Sequence, residues 1–317
     1  MPKKAFFGID TSNYTTSFSI SDYDGNIIKN YKILLPVKEG ERGLRQSDAV
    51  FAHVKNLPLI AEKIKEDSDC YDILAVGHSA CPRDVEGSYM PCFLVGKALS
   101  DILASLYKVE NFSFSHQAGH IRASVYSSGV VTDDNFIAFH VSGGTTEILH
   151  VTKANNSYII KLLGGSNDLH AGQAIDRIGV KMGLKFPCGP TIEKLAKNNC
   201  ENLPQFSISV NEFSCNLSGL ENIAGKLFDK TQNQELVSAF TLDFISKTIS
   251  KLTENLRNKY PNVQIIYAGG VMSNAIIQEN IKSKFSNVYF ATPEFSSDNA
   301  SGIALLARAK YLNKEEQ

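Results

Sequence analysis

Neither sign of charge dominates this 317-residue chain, in which 32 Lys and Arg oppose 33 Asp and Glu for a formal net charge of −1. That balance gives no global signal for a polyanion- or membrane-binding protein and leaves only local basic patches to consider. The six cysteines, Cys70, Cys81, Cys92, Cys188, Cys200 and Cys215, contain no CxxC pair. Reduced thiols are therefore expected rather than a disulfide framework. No run approaches the roughly 18 apolar residues of a membrane span. The opening Met-Pro-Lys-Lys-Ala-Phe-Phe-Gly-Ile-Asp enters a strand at once, without the apolar stretch of a signal peptide. A cytoplasmic protein with no membrane partner is expected. Low-complexity segments, GxxxxGK[ST] and GxGxxG are all absent, so neither a P-loop nor a dinucleotide fingerprint is available.

What remains is an ordinary globular composition, 43% apolar and 21% charged, long enough for two lobes. Strands are predicted at 5–10, 15–21, 27–35 and 73–79, with a hairpin turn at Asp22-Tyr23-Asp24-Gly25-Asn26. Helices are predicted at 47–66, where Val50, Val54, Leu57 and Ile60 share a face, and at 93–107. The pattern then repeats, with strands at 136–141, 146–151 and 158–163, helices at 171–183, 190–198, 217–229 and 234–259, strands at 263–268 and 288–291, and a last helix at 299–313. Three strands followed by helices, twice over, suggest a duplicated α/β fold with polar, small-residue turns at Asp10-Thr11-Ser12-Asn13 and Ser142-Gly143-Gly144-Thr145-Thr146. The expected division is 1–110 as a first lobe, with 299–317 packing back on it, and 111–298 as a second.

Four segments can carry chemistry. Val-Ser-Gly-Gly-Thr-Thr at 141–146 suits a phosphate-binding turn, because glycine backbone approaches an anion closely; it suits a plain hairpin equally well. Ala-Gly-Gly-Val-Met-Ser-Asn at 268–274 ends a strand before a helix, where a nucleotide has room and Asn274 could bond a base or ribose; capping by Ser273 or Asn274 is the plainer reading. His116 and His120, four apart on a helix, can reach one ion, and Asp298 is the best third ligand, though it could equally be a helix cap. Gln117 stands where a zinc protease of the HExxH type carries its general base, so peptidase activity is not expected. His53, His78, His150 and His170 read as structural or solvated. Finally, Ala-Gly-Gln-Ala-Ile-Asp at 171–176 is small enough to pack against a ligand, with Asp176 able to accept from ribose hydroxyls or simply to sit on an exposed face.

Taken in order, these segments resemble the TsaD/Gcp family, whose members make the threonylcarbamoyl modification of tRNA and were formerly called O-sialoglycoprotein endopeptidases. The resemblance rests on Gly-Ile-Asp-Thr-Ser at 8–12, His116-x-x-x-His120, Val-Ser-Gly-Gly-Thr-Thr-Glu at 141–147, 171–176, Pro-Cys-Gly-Pro at 187–190, Phe213 to Leu220, Ala-Gly-Gly-Val-x-x-Asn and Pro-Glu-Phe-x-x-Asp-Asn. It implies a duplicated actin-like ATPase fold with a nucleotide cleft between two lobes. It implies that His116, His120 and Asp298 hold iron or zinc, with His140 as a fourth ligand. Ser142, Gly143 and Gly144 would contact phosphate, and Asp176, Gly189, Glu193 and Asn274 the adenosine of ATP, AMP or threonylcarbamoyl-adenylate. The acceptor would be the N6 amine of a tRNA adenosine, with protein partners in a tRNA-modification complex.

The chain also departs from the family pattern. Thr-Ser-Cys-Asp-Glu-Thr becomes Thr-Ser-Asn13-Tyr14-Thr15-Thr16, which removes both carboxylates of that turn. Thr145-Thr146-Glu147, Cys188 and the whole 78–92 segment also differ. These changes leave two alternatives beside the transferase: a nucleotide-binding regulator or complex subunit, and a carbamoyltransferase with a small-molecule acceptor.

Overall fold

The computed structural model describes residues 2–12, 14–36, 44–66 and 70–315. The first sheet contains β1 (Lys3–Thr11), β2 (Thr15–Asp22), β3 (Ile27–Leu34), β4 (Tyr71–Cys81) and β5 (Glu110–Ser115), in the order β3-β2-β1-β4-β5. β1 runs antiparallel to β2 and parallel to β4, and β4 runs parallel to β5. Every residue of β1 from Ala5 to Thr11 is buried, as expected of a strand covered on both faces. On one face α2 (Phe93–Tyr107) brings Gly96 against Ile9 and Thr11. On the other, Gly8 lies so close to the last helix, α10 (Ser301–Glu315), that a Cβ there would stand 2.4 Å from the Ala304 nitrogen.

The second sheet holds β6 (Asn135–Val141), β7 (Thr146–Ala154), β8 (Ser157–Ser166), β9 (Ser209–Asn211), β10 (Ser214–Asn216), β11 (Gln264–Ala268) and β12 (Val288–Phe290). Its order is β12-β11-β6-β7-β8-β10-β9. β6 is antiparallel to β7 and parallel to β11, which is parallel to β12. The run β8-β7-β6-β11-β12 thus repeats the plan of β3-β2-β1-β4-β5. Around this sheet are α4 (Ala171–Lys181), α5 (Gly189–Lys197), α6 (Ser218–Thr231), α7 (Gln234–Lys259) and α8 (Ala275–Lys282). Their core includes Phe139, Ile148, Ile178, Phe240, Ile245 and Tyr267.

The chain divides into two compact units, one of Met1–Tyr126, Lys153–Ile160 and Ser297–Gln317, the other of Ser127–Thr152 and Lys161–Ser296. This differs from the expected boundary at 110/111, which put the metal motif in the second lobe. The helix α3 (His116–Ser128) follows β5 directly, and its Gly119 carbonyl lies 1.8 Å from where a Cβ on Gly302 of α10 would be. Only glycine at 302 allows that approach, and it ties His116 and His120 to the first unit.

Helix α1 (Gln46–Lys65) shows a second difference. It buries Ala49, Ala52, His53, Asn56 and Ile60, whereas Val54 of the expected apolar face is exposed. The inward face is partly polar because the segment it covers offers partners. His53 Nε2 reaches the Ser12 carbonyl at 2.8 Å, and its Nδ1 meets Thr16 Oγ1 at 2.8 Å. Only an N–H can serve a carbonyl, so Nε2 carries the proton and Nδ1 accepts from the hydroxyl. Burial holds this imidazole below its ordinary value, consistent with a neutral ring.

Candidate functional site

Three chain segments meet at the carboxyl end of β1. Asp10 and Ser12 come from β1 and the turn after it, His116 and His120 from the first turns of α3, and Asp298 from the loop between the one-turn helix α9 (Pro293–Ser296) and α10. Ser115 fixes the start of α3 by accepting from the Ala118 N–H at 3.1 Å while its hydroxyl donates to Asp84 at 2.6 Å. Asp298 is not the cap it could have been. Asn299 Oδ1 accepts the Ser301 N–H at 3.0 Å, which leaves the Asp298 carboxylate for other partners.

Those partners are the two imidazoles. His116 Nε2 and His120 Nε2 stand 2.9 Å apart, His120 Nε2 is 3.1 Å from Asp298 Oδ1, and His116 Nε2 is 3.7 Å from the same oxygen. Ligand atoms about 2.1 Å from one ion are separated by roughly 3.0–3.4 Å at octahedral or tetrahedral angles, so this triangle is of a size to hold a divalent metal. Among the described residues it is the group of His, Cys, Asp and Glu that meets such a criterion. The donor set also fits. Two Nε2 atoms facing each other beside a carboxylate need a cation or a shared proton between them.

Two residues not singled out as site residues in the sequence orient the set. Asp10 Oδ2 accepts from His116 Nδ1 at 2.6 Å, and Ser12 Oγ donates to Asp298 Oδ2 at 3.1 Å. Asp10 is 1% exposed, and its Oδ1 is buried without a partner. A carboxylate directly after the apolar run Ala5–Ile9 is the signal in the sequence. The separations of 106 and 286 residues hid the pairing. Burial works against a charge on His116, but the carboxylates of Asp10 and Asp298 outweigh it and raise this imidazole to about 9. Burial would likewise raise the Asp298 carboxyl, yet the hydrogen bond to His120, the two imidazoles and Ser12 hold it well below the usual carboxylate range. Nearby, the Cys92 thiol is pushed up to about 11 by burial and by Asp10, so it is not a nucleophile at neutral pH.

The expected fourth ligand, His140, stands near the end of β6 in the second unit, opposite Glu147 in the antiparallel register. The cluster of His116, His120 and Asp298 does not include it.

The residues expected to contact a nucleotide all lie in the second unit and form one connected strip. The Ser142-Gly143-Gly144 turn is closed by a Ser142 N–H to Thr145 carbonyl bond of 2.7 Å, with both glycines exposed. The amino end of α4 rests on it. The Gly172 N–H donates to the Ser142 carbonyl at 3.1 Å, and a Cβ on Gly172 would stand 2.6 Å from Gly143 Cα. One turn on, Asp176 Oδ1 accepts the Cys188 N–H at 2.8 Å, next to Gly189 at the start of α5. Burial raises the Asp176 carboxyl. Glu193 Oε1 reaches the Ala275 N–H at 3.4 Å and pairs with Lys197 at 2.7 Å. Asn274 caps α8, its Oδ1 accepting the Ile277 N–H at 3.2 Å. The plain capping reading of Asn274 therefore holds, and its amide group is left for any further role. Asn13, central to the altered first turn, lies outside the described residues. The other histidines read as structural have such surroundings: His78 bonds Asn111 at 3.1 Å, His150 lies against Tyr260, and His170 stands at the start of α4, its backbone N–H donating to Gln173 Oε1 at 3.4 Å. All six cysteines are free. No helix among the described residues is long and apolar enough to cross a membrane.

The chain is similar to known proteins in both fold and sequence. Among solved structures, the activator of 2-hydroxyisocaproyl-CoA dehydratase from Clostridium difficile, bound to ADPNP, matches at a TM-score of 0.54 and 13% identity, over 98% of this chain and 97% of that one. That likeness shows the fold alone, which is of the actin-like ATPase type. In sequence, the chain is 27% identical to a tRNA N6-adenosine threonylcarbamoyltransferase from Prochlorococcus marinus, over 96% of its own length and 90% of the relative's. It is also 27% identical to the protein of the same name from Campylobacter fetus, over 97% and 92%. The profile of the TsaD family, tRNA N6-adenosine threonylcarbamoyltransferase, matches residues 37–305, and the chain belongs to that family.

Proposed function

We propose that this protein transfers a threonylcarbamoyl group from threonylcarbamoyl-adenylate to N6 of a tRNA adenosine in the cytoplasm, alongside protein partners. The observation that carries the reading is the His116, His120 and Asp298 triangle, supported from behind by Asp10 and Ser12. These three side chains would hold iron or zinc. A divalent ion there supplies positive charge for phosphate or carbamate oxygens.

The remaining work falls to the chain itself. Asp10 fixes the His116 tautomer, so that Nε2 faces the other ligands, and Ser12 turns the second Asp298 oxygen away from them. Ser142, Gly143 and Gly144 offer backbone and hydroxyl donors to the adenylate phosphate. Asp176, Gly189, Glu193 and Asn274 bind the adenosine. In the transfer, the acceptor amine forms a bond to the carbamoyl carbon, the bond from that carbon to the adenylate oxygen breaks to release AMP, and the proton lost by the amine passes to water.

The test is to let this protein replace the sole family member of a cell and to analyse its tRNA nucleosides by mass spectrometry. Restored threonylcarbamoyladenosine is expected. Its absence despite soluble, metal-loaded protein would overturn the reading.

One observation favours a second reading, adenylate binding without transfer. After Ser12 the chain offers Tyr14, which is exposed, and at the start of β2 Thr15 and Thr16, which are buried, with Thr16 Oγ1 bonded to His53 and Asn56. None is a proton acceptor near neutral pH. General-base help is typically worth 10²–10⁴-fold, so its loss would slow transfer and leave binding intact. A Tyr14→Asp/Thr15→Glu double variant that accelerates transfer would support this second reading.

A further inference from the structure

Helix α3 carries a partly buried cation on its other side. Arg122 follows His120 by two residues, about 200° further round the helix. Its Nε is buried without a hydrogen-bond partner, and among the described residues no hydrogen bond or ion pair reaches the guanidinium. It lines a cavity of about 280 Å³ bounded by the β7–β8 turn and by Leu306 and Ala309 of α10. Lys153, Asn155 and Ser157 also line it, and no Asp or Glu does. All these residues belong to the first unit.

The wall is fixed. Asn155 and Asn156 turn the chain at φ 45° and 61°, and Asn156 Nδ2 donates to the Ala309 carbonyl at 3.0 Å. A further cation stands close by. Arg308, held on the Tyr23 carbonyl at 2.6 Å, has its pKa lowered by burial and next by the Arg122 charge, while Asp22 and Asp24 pull the other way.

An arginine cannot shed its proton, so a buried guanidinium N–H without an acceptor is costly until an anion arrives. The cavity lies just below the roughly 300–1,000 Å³ of drug-sized sites, which suits one compact group. Arg122 and Lys153 together match the near-double charge of a phosphate better than a single carboxylate, and the guanidinium fork matches its oxygens. We propose that this cavity binds a phosphate group, either a free phosphate or a phosphate of a nucleic-acid backbone. Only the nucleic-acid source rests on the transfer reading above.

Inorganic phosphate titrated calorimetrically into the full chain tests the site. Saturable binding is expected, weakened roughly tenfold or more by Arg122→Gln and also weakened by Lys153→Gln, which alters an exposed residue and leaves the helix intact. The AMP-induced rise in melting temperature should be unchanged in both variants, which separates this cavity from the Ser142–Gly144 turn and from failure of the transfer reading. An unmodified tRNA transcript distinguishes the sources. If it competes with phosphate in the wild type but not in Arg122→Gln, the backbone is the ligand; if phosphate binding is indifferent to it, the ligand is a free phosphate. Phosphate binding of equal strength in the wild type and both variants, or none in the wild type, would overturn the proposal.

Discussion

Metal capture at His116, His120 and Asp298 should release a proton at neutral pH. His116 is raised from 6.5 to about 9 because Asp10 sits 2.6 Å from Nδ1 and Asp298 3.7 Å from Nε2. An ion binds only the Nε2 lone pair. At pH 7 about one molecule in a hundred has that lone pair free, so affinity should rise roughly tenfold per pH unit from about 7 to 9 and then level off. Asp10→Asn separates the two consequences of the carboxylate. The neutral amide no longer holds the proton, so the slope above pH 7 should largely disappear. At pH 9, where proton competition has faded in both proteins, the variant should bind about 10- to 100-fold more weakly, because the imidazole is less firmly oriented and less basic. The two curves should therefore approach each other near pH 7 and separate towards pH 9. Competition with a chelator of known pH-dependent affinity measures both. The same raised pKa has a stability sign: in metal-free protein its contribution is fully present below about 6.5 and is lost as pH rises through about 9. Metal-free wild type should accordingly lose melting temperature over that window, and Asp10→Asn should not. Wild-type affinity independent of pH between 7 and 9, or parallel curves for the two proteins, would refute the argument.

Three other outcomes follow from the second unit. Asp168 accepts from the Leu217 and Ser218 N–H groups and the Ser218 hydroxyl at 2.8, 3.2 and 2.6 Å, and although burial opposes it, these bonds bring its carboxyl down to about 2. Since the group is exposed and screened, Asp168→Asn should cost only about 1 kcal/mol at pH 7, and the deficit should vanish as pH falls from about 4 to 2, read by denaturant unfolding. Asn274→Ala should cost about 1 kcal/mol through the lost α8 cap, whereas Asn274→Ser keeps a cap; a weaker AMP-induced melting shift in the serine variant would assign Asn274 to the nucleotide, and an unchanged shift would confine it to capping. Gly172→Ala places a Cβ 2.6–2.7 Å from the Gly143 and Ser142 backbone, so it should destabilise by about 1–3 kcal/mol and weaken AMP binding as α4 lifts from the turn; unaltered AMP affinity would separate that turn from the nucleotide.

The elements most legible in the sequence were those with a strong period or a continuous apolar run. Phe93–Tyr107 and the interior of β1 stand as read, and α7 coincides with the predicted 234–259. β5 and the two-strand ribbon of β9 and β10 stand outside the expected elements, whereas the helix expected after 268–274 is α8. The strands of the ribbon are three residues each, whereas β5 does alternate, with Phe112 and Phe114 between polar neighbours, over only six residues. The buried face of α1 was misjudged because hydrophobicity marked Val54, while the covered segment selected His53 and Asn56 for their hydrogen bonds.

The candidate site divides along the same line. Local spacing was enough to put His116 and His120 on one face of a helix, and short small-residue turns were enough to mark 142–144 and 268–274, because both depend on backbone geometry within a few residues. The sequence also carried the family through motifs in fixed order. Asp10 and Ser12 behind the ligands, the release of Asp298 from capping by Asn299, the Gly119–Gly302 contact that puts α3 in the first unit, and the acid-free cavity at Arg122 were decided only in three dimensions. Each joins residues distant in the chain or depends on which neighbour satisfies a buried polar group. Hydrogen bonds and ion pairs of that kind act over a few ångströms, and one-dimensional order does not record which groups folding brings within that distance.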